Sequence, residues 1–345
     1  MSEFVNEKYR AETGCAALAD QRGDSLVATA PPAERWLLIE ARTPWPRNAL
    51  SALRRSADRG SSTAGASLAL RGDERVEVGQ ELGVKVARRC RELGYRPVLI
   101  RRYGRVDHSV PRRWAVVDCR PGHESIRWGL LASDEHVLEV LSGADRGLVS
   151  HEPIYLVCTH GRHDACCAVR GRPVAAVLAA AYPERTWECS HVGGDRFAAN
   201  VVVLPHGLFY GHVPTTRAVE LAKQYDDGLV VPDLLRGSGA FSPPVQAAQH
   251  YARAAGYSLA VSALRPTAVR RLSANHWQID LATHQRLEQP ARQTDAGGVG
   301  GEGERGAGIT VEVSSWLETV DARLTCSSAA PAQVRRFRLN GLTTN

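Results

Sequence analysis

Runs of apolar residues four to eight long alternate along this chain with longer stretches of helical periodicity. RWLLIEAR (35–42) reads as a strand, and PRNALSALRRSADRG (46–60) as a short helix. GQELGVKVARRCRELG (79–94) predicts a second helix, with Leu82, Val84, Val86 and Cys90 on one side and Gly94 as its stop. Strands follow at YRPVLIRRY (95–103), WAVVDC (114–119) and SIRWGLLA (125–132). The pattern then starts again. IYLVCTH (154–160) is a buried strand, RGRPVAAVLAAAYP (170–183) an Ala-rich helix ended near Pro183, and TWECSHVGG (186–194) a strand entering a glycine loop. FAANVVVLPHGLFYGHV (197–213) is a hairpin turning at Pro205-His206-Gly207, and TTRAVELAKQYDDG (215–228) a helix that Gly228 closes. Both halves begin strand–loop–helix, which makes a duplication conceivable.

Beyond this, VQAAQHYARAAG (245–256) reads as a helix. HWQIDLATHQ (276–285), GITVEVSSW (308–316) and ARLTCSS (322–328) alternate as half-buried strands do. QTDAGGVGGEGERGAG (293–308) has the composition of a long mobile loop, and residues 1–31 read as a polar lead-in. The expected fold is α/β (α+β) in three parts. Residues 1–150 form an αβ half without a metal site, 151–240 a second αβ unit, and 241–345 a helix with a small antiparallel sheet. The β-α-β-β-β-α order of the second unit fits a thioredoxin-like fold, and the first half is a related one.

Composition changes this picture little. The chain has 345 residues, 43% of them hydrophobic, with a net charge of +6 and a pI near 9.0. The basic residues are almost all Arg and are scattered, with only small groups such as RRYGR (101–105) and PRRW (111–114). A solvated basic surface accounts for them, and no nucleic-acid partner is expected. The first residues carry charges where a signal peptide needs an apolar run. VAAVLAAAY (174–182), the longest small-apolar stretch, is too short to span a bilayer. A cytoplasmic protein with no membrane partner is the expectation, and its eight cysteines then read as ligands or buried thiols rather than disulfides.

Chemistry concentrates in CTHGRHDACC (158–167) and WECSHVGGDRFAAN (187–200). Cys158 ends a buried strand, and Cys167 lies nine residues on across a polar loop. Cys189 and His191 are two apart on a strand and so share a face. The pair Gly193-Gly194 lets backbone approach something closely. Thiolates with imidazoles suit zinc or an iron–sulfur cluster, and the spacings favour [2Fe-2S]. Structural zinc would want two short paired-ligand motifs, and thiol catalysis a CxxC. Cys15, Cys90, Cys119 and Cys326 have no ligand partner nearby in sequence and read as packing thiols. His160, His163, His206 and His212 read as loop polar groups or donors beside the site, as do Asn200 and Arg196, with Trp187 as core.

At these residues the chain resembles the sucrase/ferredoxin-like family, a branch of the thioredoxin-like [2Fe-2S] ferredoxins. CTHGRHDACCAVRGRP, WECSHVGGDRFAANVVVLPHGLFYG and TAPPAERWLLIEA carry the likeness, over roughly residues 10–255. The resemblance implies a cluster held by two cysteines, falling on Cys158 and Cys167, and by two histidines with three residues between. The first of these falls on His191 and the second on Asp195, where the chain departs from the pattern. Aspartate is a hard ligand for a cluster iron. The fourth ligand is therefore open among Cys189, Cys166 and Asp195, in that order. The implied role is soluble one-electron transfer, as carrier or reductase component. The implied partner is a redox protein or a small anionic acceptor, drawn by Arg162, Arg170, Arg172 and Arg196. The alternative is a zinc-binding or thiol-redox protein on the same scaffold. No carboxylate pair is set for glycoside hydrolysis, so nothing supports sucrase activity.

Overall fold

The computed structural model describes residues 11–54, 72–283 and 308–344. In chain order its elements are α1 (Cys15–Arg22), β1 (Arg35–Glu40), α2 (Gly72–Leu93), β2 (Tyr95–Arg101), β3 (Arg113–Asp118), β4 (Ser125–Leu130), α3 (His136–Ser142) and β5 (Leu148–Ser150). Next come β6 (Ile154–Cys158), α4 (Ala165–Ala181), β7 (Thr186–Cys189), β8 (Val201–Leu204), β9 (Leu208–Tyr210), α5 (Ala218–Asp226) and β10 (Leu235–Ser238). The last are α6 (Pro243–Ala254), β11 (Arg265–Ser273), β12 (His276–Ala282), β13 (Gly308–Val320) and β14 (Ala332–Thr344).

The fold is α/β. Ten strands form one sheet in the order β10-β9-β8-β6-β7-β2-β1-β3-β4-β5. Each half repeats one topology. β1 is parallel to β2 and antiparallel to β3, which continues to β4 and β5. β6 is likewise parallel to β7 and antiparallel to β8, which continues to β9 and β10. α2 and α4 are the two parallel crossovers. The halves join through an antiparallel pair of their own edges, β2 with β7, where Ile100 faces Cys189 and Arg101 faces Glu188. Strand order is thus a palindrome about that joint, and the repeat hinted at by the two strand–loop–helix openings is a repeat of topology. The sheet runs continuously across residues 150 and 151.

Burial follows the period of two that strands impose. Trp36, Leu38, Val98, Ile100, Ile154, Leu156 and Cys158 belong to one core cluster spanning both halves. The intervening Leu37, Ile39 and Leu99 pack with Val86 and Cys90 of α2 and with α3. Tyr155 and Val157 pack with α4 and α5. The remaining strands, β11-β12-β13-β14, form a separate antiparallel sheet whose buried Ile279, Leu281, Ile309, Val311 and Val313 cover α6.

Several expectations shift. Val84 lies on the solvent side of α2, 63% exposed, because Leu82, Val86 and Cys90 already fill the buried stripe. Of the helix expected over 46–60, the described part is one short turn, Ala49–Ala52. The polar lead-in contains α1, whose Cys15, Ala16 and Ala19 are buried. ARLTCSS is a connection between β13 and β14 rather than a strand, and the strand is the arginine-rich 332–344 instead. The glycine-rich stretch expected as a mobile loop falls, except for Gly308, outside the described residues. Among the described residues no helix is long and apolar enough to cross a membrane.

Candidate metal centre

Three elements deliver the site. β6 ends at Cys158, and its parallel neighbour β7 ends at Cys189, the two residues being in register. Cys167 enters from the first turn of α4, whose N-cap is Asp164, accepting from the Cys166 amide at 2.9 Å. All three thiols are essentially excluded from solvent. α4 can approach β6 this closely only because residue 171 is glycine. A Cβ there would lie 2.1 Å from the carbonyl oxygen of Cys158.

The loop after β7 supplies the rest. His191 lies beyond the end of the strand, not on it as the spacing suggested, yet it still returns to Cys158. Its Nδ1 is 2.9 Å from Asp195 Oδ1. That approach is short but misaligned, so Nδ1 is a buried nitrogen without a hydrogen bond. Asp195 Oδ1 also accepts from Cys167 Sγ at 3.2 Å. His163 stacks on His191 with centroids 3.7 Å apart and has Nε2 3.5 Å from Asp195 Oδ2. The two imidazoles are about three-tenths exposed and form the solvent edge of an otherwise buried site. His160 sits behind them. Its Nδ1 accepts from the His191 amide at 3.3 Å, which fixes the Nε2–H tautomer that donates to Pro46 O at 2.8 Å. A loop of the first half thereby walls the site.

The Gly193-Gly194 turn makes the close approach expected of it, and what approaches is Arg236. A Cβ on Gly194, at φ +83°, would lie 2.4 Å from the guanidinium. Arg236 is 1% exposed and donates to Gly193 O, Asn200 Oδ1 and Thr29 O and Oγ1, but among the described residues to no carboxylate. Burial pushes its pKa down to about 9, partly opposed by Asp195 and Cys167. Sequence reading missed this residue, since LRGSG looks like a loop. Of the four arginines expected around the site, Arg170 pairs with Asp20 and Arg196 with Asp24, while Arg162 and Arg172 stay exposed.

Electrostatics concentrate negative charge on one sulfur. Contacts from Cys167, Cys189 and His191 hold the Cys158 thiol well below its ordinary pKa against the cost of burial. Contact with Cys158 and burial raise Cys167; burial and then Cys158 raise Cys189. Burial works against the His191 imidazolium, but Asp195 and Cys158 overcome it and hold its pKa up to about 9.

Of the residues singled out from sequence, the structure brings Cys158, Cys167, Cys189, His191 and Asp195 together. It turns Cys166 elsewhere, with its Sγ 3.4 Å from Cys326 Sγ. Cys15 and Cys326, read as isolated packing thiols, meet there as well. Asn200 and Arg196 do not touch the thiols directly. Asn200 instead ties Arg236 to Gly194 O.

The donor set fits a soft metal or a cluster. The sulfurs are buried and held by strand and helix ends, His191 Nδ1 makes no aligned hydrogen bond beyond its close approach to Asp195, and the buried Arg236 adds positive charge. Among the described residues, two groups of donors lie close enough together to hold a metal ion: His163, His191 and Asp195 at the edge of this site, and Cys15, Asp164, Cys166 and Cys326 elsewhere. The sucrase/ferredoxin-like family model matches residues 26–237, more than half the chain, and the chain belongs to that family. No curated protein and no solved structure matched it.

Proposed function

We propose that this chain holds a [2Fe-2S] cluster at Cys158, Cys167, His191 and Cys189, and works as an electron carrier or reductase component. The observation that carries this reading is the gathering of two further buried thiols, Cys167 and Cys189, and the partly exposed His191 imidazole around Cys158, which is in register with Cys189. Such a cluster, when bound, takes up and gives back single electrons. The rest of the task falls to the protein. β6, β7 and α4 fix the thiols, so little reorganisation accompanies a change of charge. Arg236 supplies positive charge from the interior, which favours the reduced and more negative form. The His163–His191 edge is the route to solvent, and the exposed Arg162 adjoins His163 in the chain. That rim suits an acidic redox protein or a small anionic acceptor. Asp195 as fourth ligand is the second reading, because its Oδ1 lies against both Cys167 Sγ and His191 Nδ1. The softness of thiolate favours Cys189.

Anaerobically purified protein is expected to carry about two irons and two acid-labile sulfides per chain. Iron and sulfide analysis checks this. Zinc without sulfide, in protein made with ample iron, would sink the reading. Cys189→Ser is then expected to lose the cluster, while Asp195→Asn keeps it. The reverse pattern would make Asp195 the ligand. His191→Cys is expected to lower the reduction potential by on the order of 100 mV, since an anionic thiolate replaces a neutral imidazole. A redox titration giving the wild-type potential would remove His191 from the ligand set.

A further inference from the structure

Behind the first site lies a second group of donors. Cys15 opens α1, Cys166 stands on the first turn of α4, and Cys326 is in the connection between β13 and β14. Cys166 Sγ and Cys326 Sγ are 3.4 Å apart, and Cys326 Sγ and Cys15 Sγ 3.6 Å. The Asp164 carboxylate closes the group, with its oxygens 3.6 and 3.7 Å from Cys15 Sγ. All four ligand atoms lie within 4.8 Å of one another. The geometry points to a mononuclear zinc-type site of three thiolates and one carboxylate, distinct from the cluster site and independent of it.

A tetrahedral zinc with sulfur at about 2.3 Å separates its ligand sulfurs by about 3.8 Å. The observed separations approach that value. Three thiolates select a soft d¹⁰ ion over magnesium, calcium or manganese. The carboxylate is held in place by two backbone amides, of Cys166 at 2.9 Å and Cys326 at 2.6 Å, so it is oriented before any ion arrives. Four protein donors leave no open position, so the role is structural. A disulfide would use only two of the three sulfurs and would leave the third thiol beside it unaccounted for. Cys166 and Cys167 then divide the work of one helix turn, one serving each site. Cys15 and Cys326 lie outside the stretch matched by the family model, so this site belongs to what flanks that stretch. An ion here would tie α1 and the β13–β14 connection to the start of α4, closing two very long stretches of chain.

The test uses the full-length chain. Metal analysis of the wild type is expected to give about one zinc per chain beside the iron. Chain carrying Cys158→Ser and Cys167→Ser, emptied at the first site, should still bind one cobalt(II). The bound ion should show tetrahedral d–d bands and sulfur-to-cobalt charge transfer. Adding Cys326→Ser should weaken that binding at least about tenfold. Cys326 is partly exposed, and circular dichroism checks that this variant is folded. The proposal fails if cobalt uptake disappears with Cys158→Ser and Cys167→Ser, or if Cys326→Ser leaves it unchanged. It also fails if peptide mapping of unreduced wild type finds a Cys166–Cys326 disulfide, or if the wild type holds no zinc. None of these failures touches the [2Fe-2S] reading, which fails instead on missing sulfide and on an unaltered spectrum in Cys158→Ser.

Discussion

Cys158→Ser and Cys167→Ser should each yield folded protein with no visible absorption and background iron. Serine is a harder and more basic ligand than cysteine and holds a proton where a thiolate does not. The effect is largest at Cys158, because Cys167, Cys189 and His191 all gather on its sulfur. Cys326→Ser serves as the control and should keep the spectrum, since its sulfur faces Cys166 and Cys15 instead. Absorption spectra with iron and sulfide assays check all three variants. If Cys167→Ser kept a normal spectrum while Cys166→Ser lost it, the ligands of this helix turn would be assigned one residue out of register.

Gly171→Ala should damage the site without changing any ligand. The added methyl would meet the carbonyl oxygen of Cys158 at 2.1 Å, well inside contact distance. That oxygen is backbone at the end of a central strand and has little freedom to move. α4 must therefore shift away, taking Cys167 with it and widening its separation from Cys158. We expect a loss of about 1–3 kcal/mol in stability from the overpacking, together with reduced cluster content. Chemical denaturation and iron analysis of the same preparation check this. Wild-type stability with full iron content would show that the helix can step back at no cost.

What the residue pattern revealed, and what it hid, have separate physical causes. β1, β2, β6 and β8 were legible because strands buried on both faces read as unbroken apolar runs. The C-terminal sheet was less so. β14 reads VRRFRLN, and its charges are answered only across the sheet, as Arg336 is by Glu318 and Arg335 by Ser315. α1 hid in its composition, since small alanines fill its buried side. At the site, Cys158, Cys167 and His191 were visible as soft donors at the ends of strands and helices. Arg236 was not, because burial of a guanidinium depends on partners that lie 36 and 207 residues away in sequence, Asn200 and Thr29. The Cys15–Cys166–Cys326 group was invisible for the same reason. Its sulfurs meet across 160 residues, from Cys166 to Cys326, and across 311, from Cys15 to Cys326, and no short-range spacing announces them.

The antiparallel joint between β2 and β7 gives the chain a silent twin. Under the palindrome, the position that Cys158 holds at the end of β6 is held by Glu40 at the end of β1, and the place of Cys189, its partner in register, by Ile100, the partner of Glu40. Neither is a soft donor there: Ile100 is a buried apolar side chain, and the Glu40 carboxylate pairs with Arg42. The twin nonetheless keeps one duty that a lone half would have to find elsewhere. It occupies the hydrogen-bonding edge beside Cys189 and brings Pro46 to His160, so the edge next to a thiol is closed by the other half of the sheet. A chain cut between the two halves is expected to lose the wall of the site while keeping its donors, since Pro46 lies in the first half and the donors in the second.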